Sequence, residues 1–271
     1  MMQFPLTVGG VSTRVLAAGH TGPAVVFVHG LSTRADRWAA VVARLGERGF
    51  RAIAFDLPGH GLAAKPAGFD YRSPALARFC LGVLDALGIE RAHLVGTSLG
   101  GHIAALAALA EPARCASLYL VAPLGLAPLS AEAGEAIRRG VRNVSVDGVQ
   151  QKLRNVFVDP AFATEDLVVE ESRINGSAGA VEALSALGDY MVDGLNGDLV
   201  TDELAQAAGR WPLGLLWGEQ DRMVAVEVGQ AAAEALGLGP LDVMPGVGHA
   251  PYVEQPDAFV ERWLAFAREA A

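Results

Sequence analysis

Short apolar runs alternate with longer amphipathic segments along most of this chain, and Gly, Pro, Asp or His bounds each apolar run. Such runs are typical of strands buried on both faces, whereas the longer segments have helical character. The predicted strands cover residues 24–28, 52–55, 94–95, 118–121, 213–217 and 241–244. The predicted helices cover residues 37–48, 73–87, 99–110, 226–236 and 256–270. This alternation predicts an α/β fold with a mostly parallel sheet and helices on both faces.

Two segments depart from the alternation. Residues 4–17 carry Gly9 and Gly10 at a turn, so we expect an antiparallel hairpin that leads into the sheet. Residues 123–211 are helical and polar without a strong strand-like run, and prolines interrupt regular structure at both ends. We therefore predict one core formed by residues 1–122 and 212–271, with residues 123–211 inserted as a helical cap. Such an insertion lies over the carboxyl ends of the strands, where open α/β sheets bind ligands.

The composition narrows the classes of function. Hydrophobic residues make up 52% of the 271 residues and charged residues 19%, so the chain can bury a large core. The net charge of -9 repels phosphate backbones and anionic lipid headgroups, which argues against nucleic-acid and membrane partners. Cys80 and Cys115 are too few for a disulfide framework, and we expect two buried thiols. No secretory signal is visible, so we expect a cytoplasmic monomer or homodimer that acts on a small molecule.

The strongest chemical signal is the sequence Gly96-Thr97-Ser98-Leu99-Gly100, between a predicted strand and a predicted Ala-rich helix. In this context Gly-x-Ser-x-Gly indicates a nucleophile elbow, a strained turn that exposes the serine hydroxyl. The glycines allow close backbone approach, and the start of the helix places partial positive charge near the serine. Ser98 is therefore the candidate nucleophile.

A nucleophilic serine needs a base within hydrogen-bond reach, and that base needs an acid to fix its tautomer. His249 follows the last predicted strand, in a loop that can reach the ends of the strands. Asp221 follows the preceding strand after a glycine turn, and Glu219 is the alternative acid. The order Ser98, Asp221, His249 is the order that accompanies the nucleophile elbow.

Two backbone N–H groups must also stabilise the oxyanion that forms when the serine attacks a carbonyl group. Leu99, directly after the nucleophile, supplies one of these amides. Leu31 is the expected second donor, because it follows a strand that ends in His29-Gly30 and glycine permits a sharp bend there. We expect His29 to orient this loop.

With these motifs in this order, the chain resembles the α/β-hydrolase superfamily, in particular its capped branches with a serine nucleophile. It is similar to small esterases and to the carbon–carbon bond hydrolases of aromatic degradation, although the latter usually carry asparagine and tryptophan where this chain has Thr97 and Ala250. The resemblance implies hydrolysis of a small or medium carboxylic ester by a Ser-His-Asp triad through an acyl-enzyme. Cleavage of a vinylogous diketone is the alternative reaction, and a non-catalytic ligand-binding relative is the alternative of another class.

The cap is expected to select the substrate. Arg173 matches a substrate-binding position of the carbon–carbon hydrolases and could hold a carboxylate, as could Arg34 and Arg37. Alternatively, Arg173 pairs with Glu170 or Glu171, and the other two arginines are solvated. No metal or organic cofactor is expected. The predicted substrate contacts are Arg34, Trp38, Leu124, Arg173 and Tyr190.

Overall fold

Eight strands form one sheet in the computed structural model of this chain, which describes residues 1–269. The strands are β1 (Met2–Val8), β2 (Val11–Ala18), β3 (Ala24–Val28), β4 (Arg51–Phe55), β5 (Ala92–Thr97), β6 (Cys115–Val121), β7 (Leu213–Gly218) and β8 (Asp242–Met244). Their order in the sheet is β1-β2-β4-β3-β5-β6-β7-β8. Strands β3 to β8 are parallel, and the β1–β2 hairpin joins them through an antiparallel pairing of β2 with β4. The predicted mostly parallel α/β sheet is confirmed.

The helices begin and end close to the predicted limits in the core. They are α1 (Ala39–Glu47), α2 (Ser73–Ala86), α3 (Leu99–Ala110), α4 (Ala131–Arg142), α5 (Val146–Val156), α6 (Glu165–Asn175), α7 (Ala180–Asp193), α8 (Thr201–Gln206), α9 (Val226–Ala235), α10 (Pro251–Glu254) and α11 (Pro256–Glu269). The helix predicted over residues 37–48 begins instead with a 3₁₀ turn, Ala35–Trp38, before α1. Ala270, the predicted last residue of the final helix, lies outside the described residues.

Each face of the sheet has its own hydrophobic core. On one face, α1 and α11 cover a cluster that includes Phe27, Trp38 and Trp263. On the other face, α2, α3 and α9 cover a cluster that includes Leu94 and Trp217. Burial on both faces explains why the central strands are continuous apolar runs without alternation. The two cysteines are free and buried in this second cluster, as predicted.

Residues 123–211, which we call the cap segment, carry helices α4 to α8 and no strand, and the structure describes all of them. Helix α4 packs on α7 and α5 packs on α6, whereas the short α8 contacts the core helices α3 and α9. The division into a core and an inserted cap stays a prediction. For residues 1–269, no helix has both the length and the apolar composition that crossing a bilayer requires.

Candidate active site

Ser98 lies in the turn between β5 and α3, at φ 53° and ψ −123°, a conformation that strains any residue other than glycine. Two neighbouring glycines make the turn possible. A Cβ on Gly96 would come within 2.2 Å of the Gly100 carbonyl oxygen, and a Cβ on Gly100 within 2.3 Å of the Val28 carbonyl oxygen. Ser98 itself is partly exposed among buried neighbours. The backbone therefore presents one accessible hydroxyl at the start of a helix.

His249 and Asp221 form a direct pair, with 2.7 Å between His249 Nδ1 and Asp221 Oδ2. Because a carboxylate only accepts hydrogen bonds, Nδ1 carries the proton and Nε2 remains as the basic nitrogen. The other carboxylate oxygen, Oδ1, accepts the amides of Met223 at 2.7 Å and Val224 at 3.0 Å. The Asp221 side chain is fully buried, so it is both shielded from water and fixed in orientation.

Close backbone packing brings the two loops of this pair together. A Cβ on Gly218, at the end of β7, would come within 1.9 Å of the Gly248 carbonyl oxygen. The Gln220 amide donates to the Val247 carbonyl at 3.0 Å. Glu219, the alternative acid, is exposed and its carboxylate accepts the Gly246 amide at 3.1 Å. Asp221, not Glu219, is thus the acid that contacts the imidazole.

The loop after β3, residues 29–34, packs directly on the serine turn, and we call it the oxyanion loop. A Cβ on Gly30 would be 3.3 Å from Ser98 Cβ. The Gly30 carbonyl accepts His29 Nδ1 at 2.8 Å and Thr33 Oγ1 at 3.1 Å. Within residues 1–269, the amides of Leu31 and Leu99 donate to no other protein group. Both predicted donors can therefore donate to an oxyanion without giving up another hydrogen bond.

His29 braces this loop against the neighbouring strand. Its Nε2 accepts the Leu57 amide at 3.0 Å, so the proton resides on Nδ1 and the ring is neutral. Burial lowers the pKa of His29, which keeps it neutral. His60 packs beside it and is also buried. Among the described residues, the hydrogen bonds of these two rings go to the Thr33 hydroxyl and to the backbone of Gly30, Leu57 and Pro58, and not to Ser98.

Hydrogen bonds from the cap segment hold the loop of His249. The His249 amide donates to the Val156 carbonyl at 2.8 Å. Glu254 accepts the Gly248 amide at 2.7 Å on Oε1 and the Val158 amide at 2.8 Å on Oε2. Among the hydrogen bonds of residues 1–269, none joins His249 Nε2 to Ser98 Oγ, a contact that is often long until substrate binds.

Three of the predicted substrate contacts lie in different surroundings. Leu124 is next to the nucleophile, since its amide donates to the Ser98 carbonyl at 3.1 Å. The Tyr190 hydroxyl donates to Asp198 Oδ2 at 2.7 Å, within the cap segment. Trp38 is fully buried, and its ring stacks on Tyr252 at a centroid distance of 3.8 Å. The structure thus places Trp38 in the core and Leu124 at the site.

The three arginines do not match the alternative in which Arg173 is paired and Arg34 and Arg37 are solvated. Arg34 pairs with Glu170, and Arg37 pairs with Glu171 at 2.6 Å, so neither of these two arginines is solvated. Arg173 is exposed and, among the described residues, forms no ion pair with either glutamate. The structure does not bring Arg173 to the other site residues. Arg34 and Glu170 are 136 positions apart in the sequence, so local spacing does not predict this ion pair.

Lys152 lies beside these ion pairs, and the sequence analysis did not identify it as a candidate functional residue. Its ammonium pairs with Glu171 and donates to the carbonyl and hydroxyl oxygens of Ser32 at 3.0 and 3.1 Å. Burial alone would raise the pKa of Glu171, but Lys152 and Arg37 hold it below its ordinary value.

Across residues 1–269, no group of three or more His, Cys, Asp or Glu side chains is arranged to hold a metal ion.

This chain is similar to known proteins over most of its length. Residues 23–256 match the family model described as alpha/beta hydrolase fold. Over 93% of its length the chain is 31% identical to the dihydrolipoyllysine-residue acetyltransferase component of the acetoin cleaving system of Pseudomonas putida, and it spans 65% of that protein. It is also 31% identical to the 2-hydroxy-6-oxononadienedioate/2-hydroxy-6-oxononatrienedioate hydrolase of Burkholderia vietnamiensis, with 92% of this chain and 88% of that protein covered. Among solved structures, a thermophilic esterase from Thermogutta terrifontis has a TM-score of 0.81 at 25% identity, covering 100% of this chain and 99% of that one.

Proposed function

Because the chain belongs to the alpha/beta hydrolase fold family, we propose that it is a serine hydrolase that cleaves small or medium carboxylic esters through an acyl-enzyme. The observation that carries the proposal is the buried His249–Asp221 pair, whose loop is packed against the strand ends that also carry the Ser98 turn. A fixed imidazole with a free Nε2 is the base that an activated serine requires. The same pair argues against a ligand-binding protein without catalysis.

Catalysis follows from the arrangement. Ser98 Oγ attacks the ester carbonyl while its proton passes to His249 Nε2, and Asp221 stabilises the imidazolium. The amides of Leu31 and Leu99 donate to the oxyanion, which collapses as His249 protonates the departing alcohol. Water then attacks the acyl-enzyme while His249 takes its proton, and the imidazolium returns that proton to Ser98 Oγ as the bond from the acyl carbon to Oγ breaks and the carboxylic acid leaves. No other group needs to gain or lose a proton.

The charge of the site supports an uncharged ester over an anionic substrate. Three cations in or beside the oxyanion loop are each already paired with a glutamate of the cap segment, namely Arg34, Arg37 and Lys152. A carboxylate substrate would have to displace Glu170 or Glu171 before it could bind these cations. Carbon–carbon bond hydrolysis is the second candidate, because the Burkholderia vietnamiensis relative is named for a dienedioate substrate.

Reaction with a fluorophosphonate tests the proposal, because the reagent needs an activated serine and an assembled oxyanion hole. We expect intact mass spectrometry to show one adduct on the wild type and none on Ser98→Ala. His249→Ala should react at least about 100-fold more slowly, since general-base assistance contributes about 10² to 10⁴. Ser177→Ala, which removes a hydroxyl that only caps the Ile174 carbonyl, is the control and should label like the wild type.

Turnover then separates the two candidate reactions. We expect the wild type to have a higher kcat/KM for a p-nitrophenyl butyrate than for a vinylogous diketone dienoate. The opposite order would favour carbon–carbon hydrolysis by the same residues. A folded wild type that neither forms the adduct nor turns over either substrate would refute the serine hydrolase.

A further inference from the structure

Ser32, directly after the oxyanion donor Leu31, has φ 51°, a left-handed backbone that a serine adopts at an energetic cost. Such a conformation persists only where surrounding contacts hold it. Ser32 is buried, and three hydrogen bonds from the cap segment meet it. Lys152 Nζ donates to its carbonyl and hydroxyl oxygens at 3.0 and 3.1 Å, and Asn175 Nδ2 donates to the same carbonyl at 3.2 Å.

The residues before and after Leu31 are therefore held by different parts of the molecule: the core holds Gly30, and the cap segment holds Ser32. On the core side, His29 and Thr33 fix the Gly30 carbonyl. The peptide unit is planar and trans, so the Leu31 N–H must point away from that carbonyl. On the far side, the Ser32 carbonyl is bound only by Lys152 and Asn175 among the described residues, from helices α5 and α6. Without them, relaxation at Ser32 would displace the next residue, Thr33, whose hydroxyl is one of the two donors that hold the Gly30 carbonyl. The planar peptide that carries both this carbonyl and the Leu31 N–H would then tilt, and the Leu31 amide would turn out of line.

We propose that Lys152 and Asn175 are positioning residues by which the cap segment sets the geometry of the oxyanion hole. The proposal rests on the serine hydrolase activity proposed above. It gives these two residues of the cap segment an indirect role in catalysis. Neither residue needs to touch the substrate, because each acts through Ser32 on the Leu31 amide. Loss of an entire oxyanion donor typically lowers kcat by about 10² to 10³, and a misaligned donor costs less.

The main test variant is the double substitution Lys152→Met/Glu171→Gln. The first change removes the donor to Ser32, and the second removes the buried Glu171 charge that Lys152 pairs with in the wild type. Glu170→Gln is the matched control, because Glu170 also joins the cap segment to the oxyanion loop but contacts Arg34 and not Ser32. Asn175→Ala is a second, single test variant that changes no charge. Lys152→Arg keeps a charged donor and should rescue part of the loss.

In the full chain with p-nitrophenyl butyrate, we expect kcat to fall about 10- to 100-fold in the double variant, with KM within about twofold. The inhibition constant of a trifluoromethyl ketone, whose hemiketal oxygen occupies the hole, should rise by the same factor as kcat/KM falls. Asn175→Ala should show a smaller loss of the same kind. Glu170→Gln should retain kcat within about twofold.

Two results would overturn the inference while leaving the serine hydrolase intact. One is a wild-type kcat in both Lys152→Met/Glu171→Gln and Asn175→Ala. The other is a rise in KM with an unchanged inhibition constant for the trifluoromethyl ketone, which would indicate a substrate contact. A wild type without Ser98-dependent turnover would instead overturn the proposed function, and this inference with it. If the double variant fails to fold, as judged by circular dichroism, Asn175→Ala decides alone.

Discussion

At the scale of single residues, the carboxylate of Asp221 is the most constrained group of the site. Oδ1 accepts hydrogen bonds from two backbone amides and Oδ2 accepts one from His249 Nδ1, so both oxygens are fixed by hydrogen bonds. An asparagine here would keep its oxygen on the two amides and turn its NH₂ toward the imidazole. His249 would then have to accept at Nδ1 and carry its proton on Nε2, the wrong tautomer for a base.

We therefore expect Asp221→Asn to lower kcat about 10⁴-fold while the melting temperature changes little, measured with p-nitrophenyl butyrate and by calorimetry. Glu219→Gln is the control, because this carboxylate is exposed and accepts only the Gly246 amide. Its kcat should remain within about twofold of the wild type. Equal losses in the two variants would contradict the assignment of Asp221 as the acid.

At the scale of elements, the start of α3 is fitted so closely to the end of β3 that only glycine is accommodated. A Cβ on Gly100 would be 2.3 and 2.4 Å from the Val28 and His29 carbonyl oxygens, and backbone atoms cannot yield as a flexible side chain can. We expect Gly100→Ala to lower the free energy of unfolding by about 1–3 kcal/mol, measured in urea. It should also lower kcat, because it pushes on the oxyanion loop.

Gly140, near the end of α4, is the matched helical glycine, because it is exposed and a methyl group there would have nothing within 4 Å. Gly140→Ala should raise the free energy of unfolding by about 0.5–1 kcal/mol, because alanine loses less backbone entropy in a helix. A destabilised Gly140→Ala, or a Gly100→Ala as stable as the wild type, would contradict this account of the packing.

The elements that could be predicted from sequence are those whose signal is local. Helix α3 runs over Leu99–Ala110 as predicted, because an apolar helix follows directly from the elbow. Strand β5 is longer than the predicted residues 94–95, since it begins at Ala92 and extends through Gly96 and Thr97 to the turn. Helix α10, Pro251–Glu254, has too few residues to show a period, so the sequence pattern does not predict it.

The same distinction applies to the site. Ser98, Asp221 and His249 each follow a strand within a few residues, so the topology of a parallel sheet predicts that they gather at one edge. The contacts of Lys152 and Asn175 with Ser32 join residues 120 and 143 positions apart. Only the packing of the cap segment on the core brings them together, and no sequence spacing encodes that packing.

At the scale of the whole molecule, two buried histidines make the stability of the fold depend on pH. His29 and His60 are fully buried and neutral, and burial lowers the pKa of His60 to about 3. An unfolded chain protonates these rings below their ordinary pKa of about 6.5. The unfolded state then binds more protons than the folded state, so stability that is fully present above about pH 6.5 is lost as the pH falls toward 3.

From this difference we expect His60 alone to lower the free energy of unfolding by about 2 kcal/mol between pH 7.5 and pH 5.0. Urea unfolding at the two pH values measures this drop in the free energy of unfolding for the wild type and for His60→Gln. In His60→Gln the drop should be about 2 kcal/mol smaller than in the wild type, whatever the variant's overall stability. Ser177→Ala, which changes no titratable group, is the control and should keep the wild-type pH dependence. If His60→Gln kept it as well, the ring would have to be protonated in the folded protein. His60 would then need an acceptor for its Nε2, which has no hydrogen-bond partner among residues 1–269.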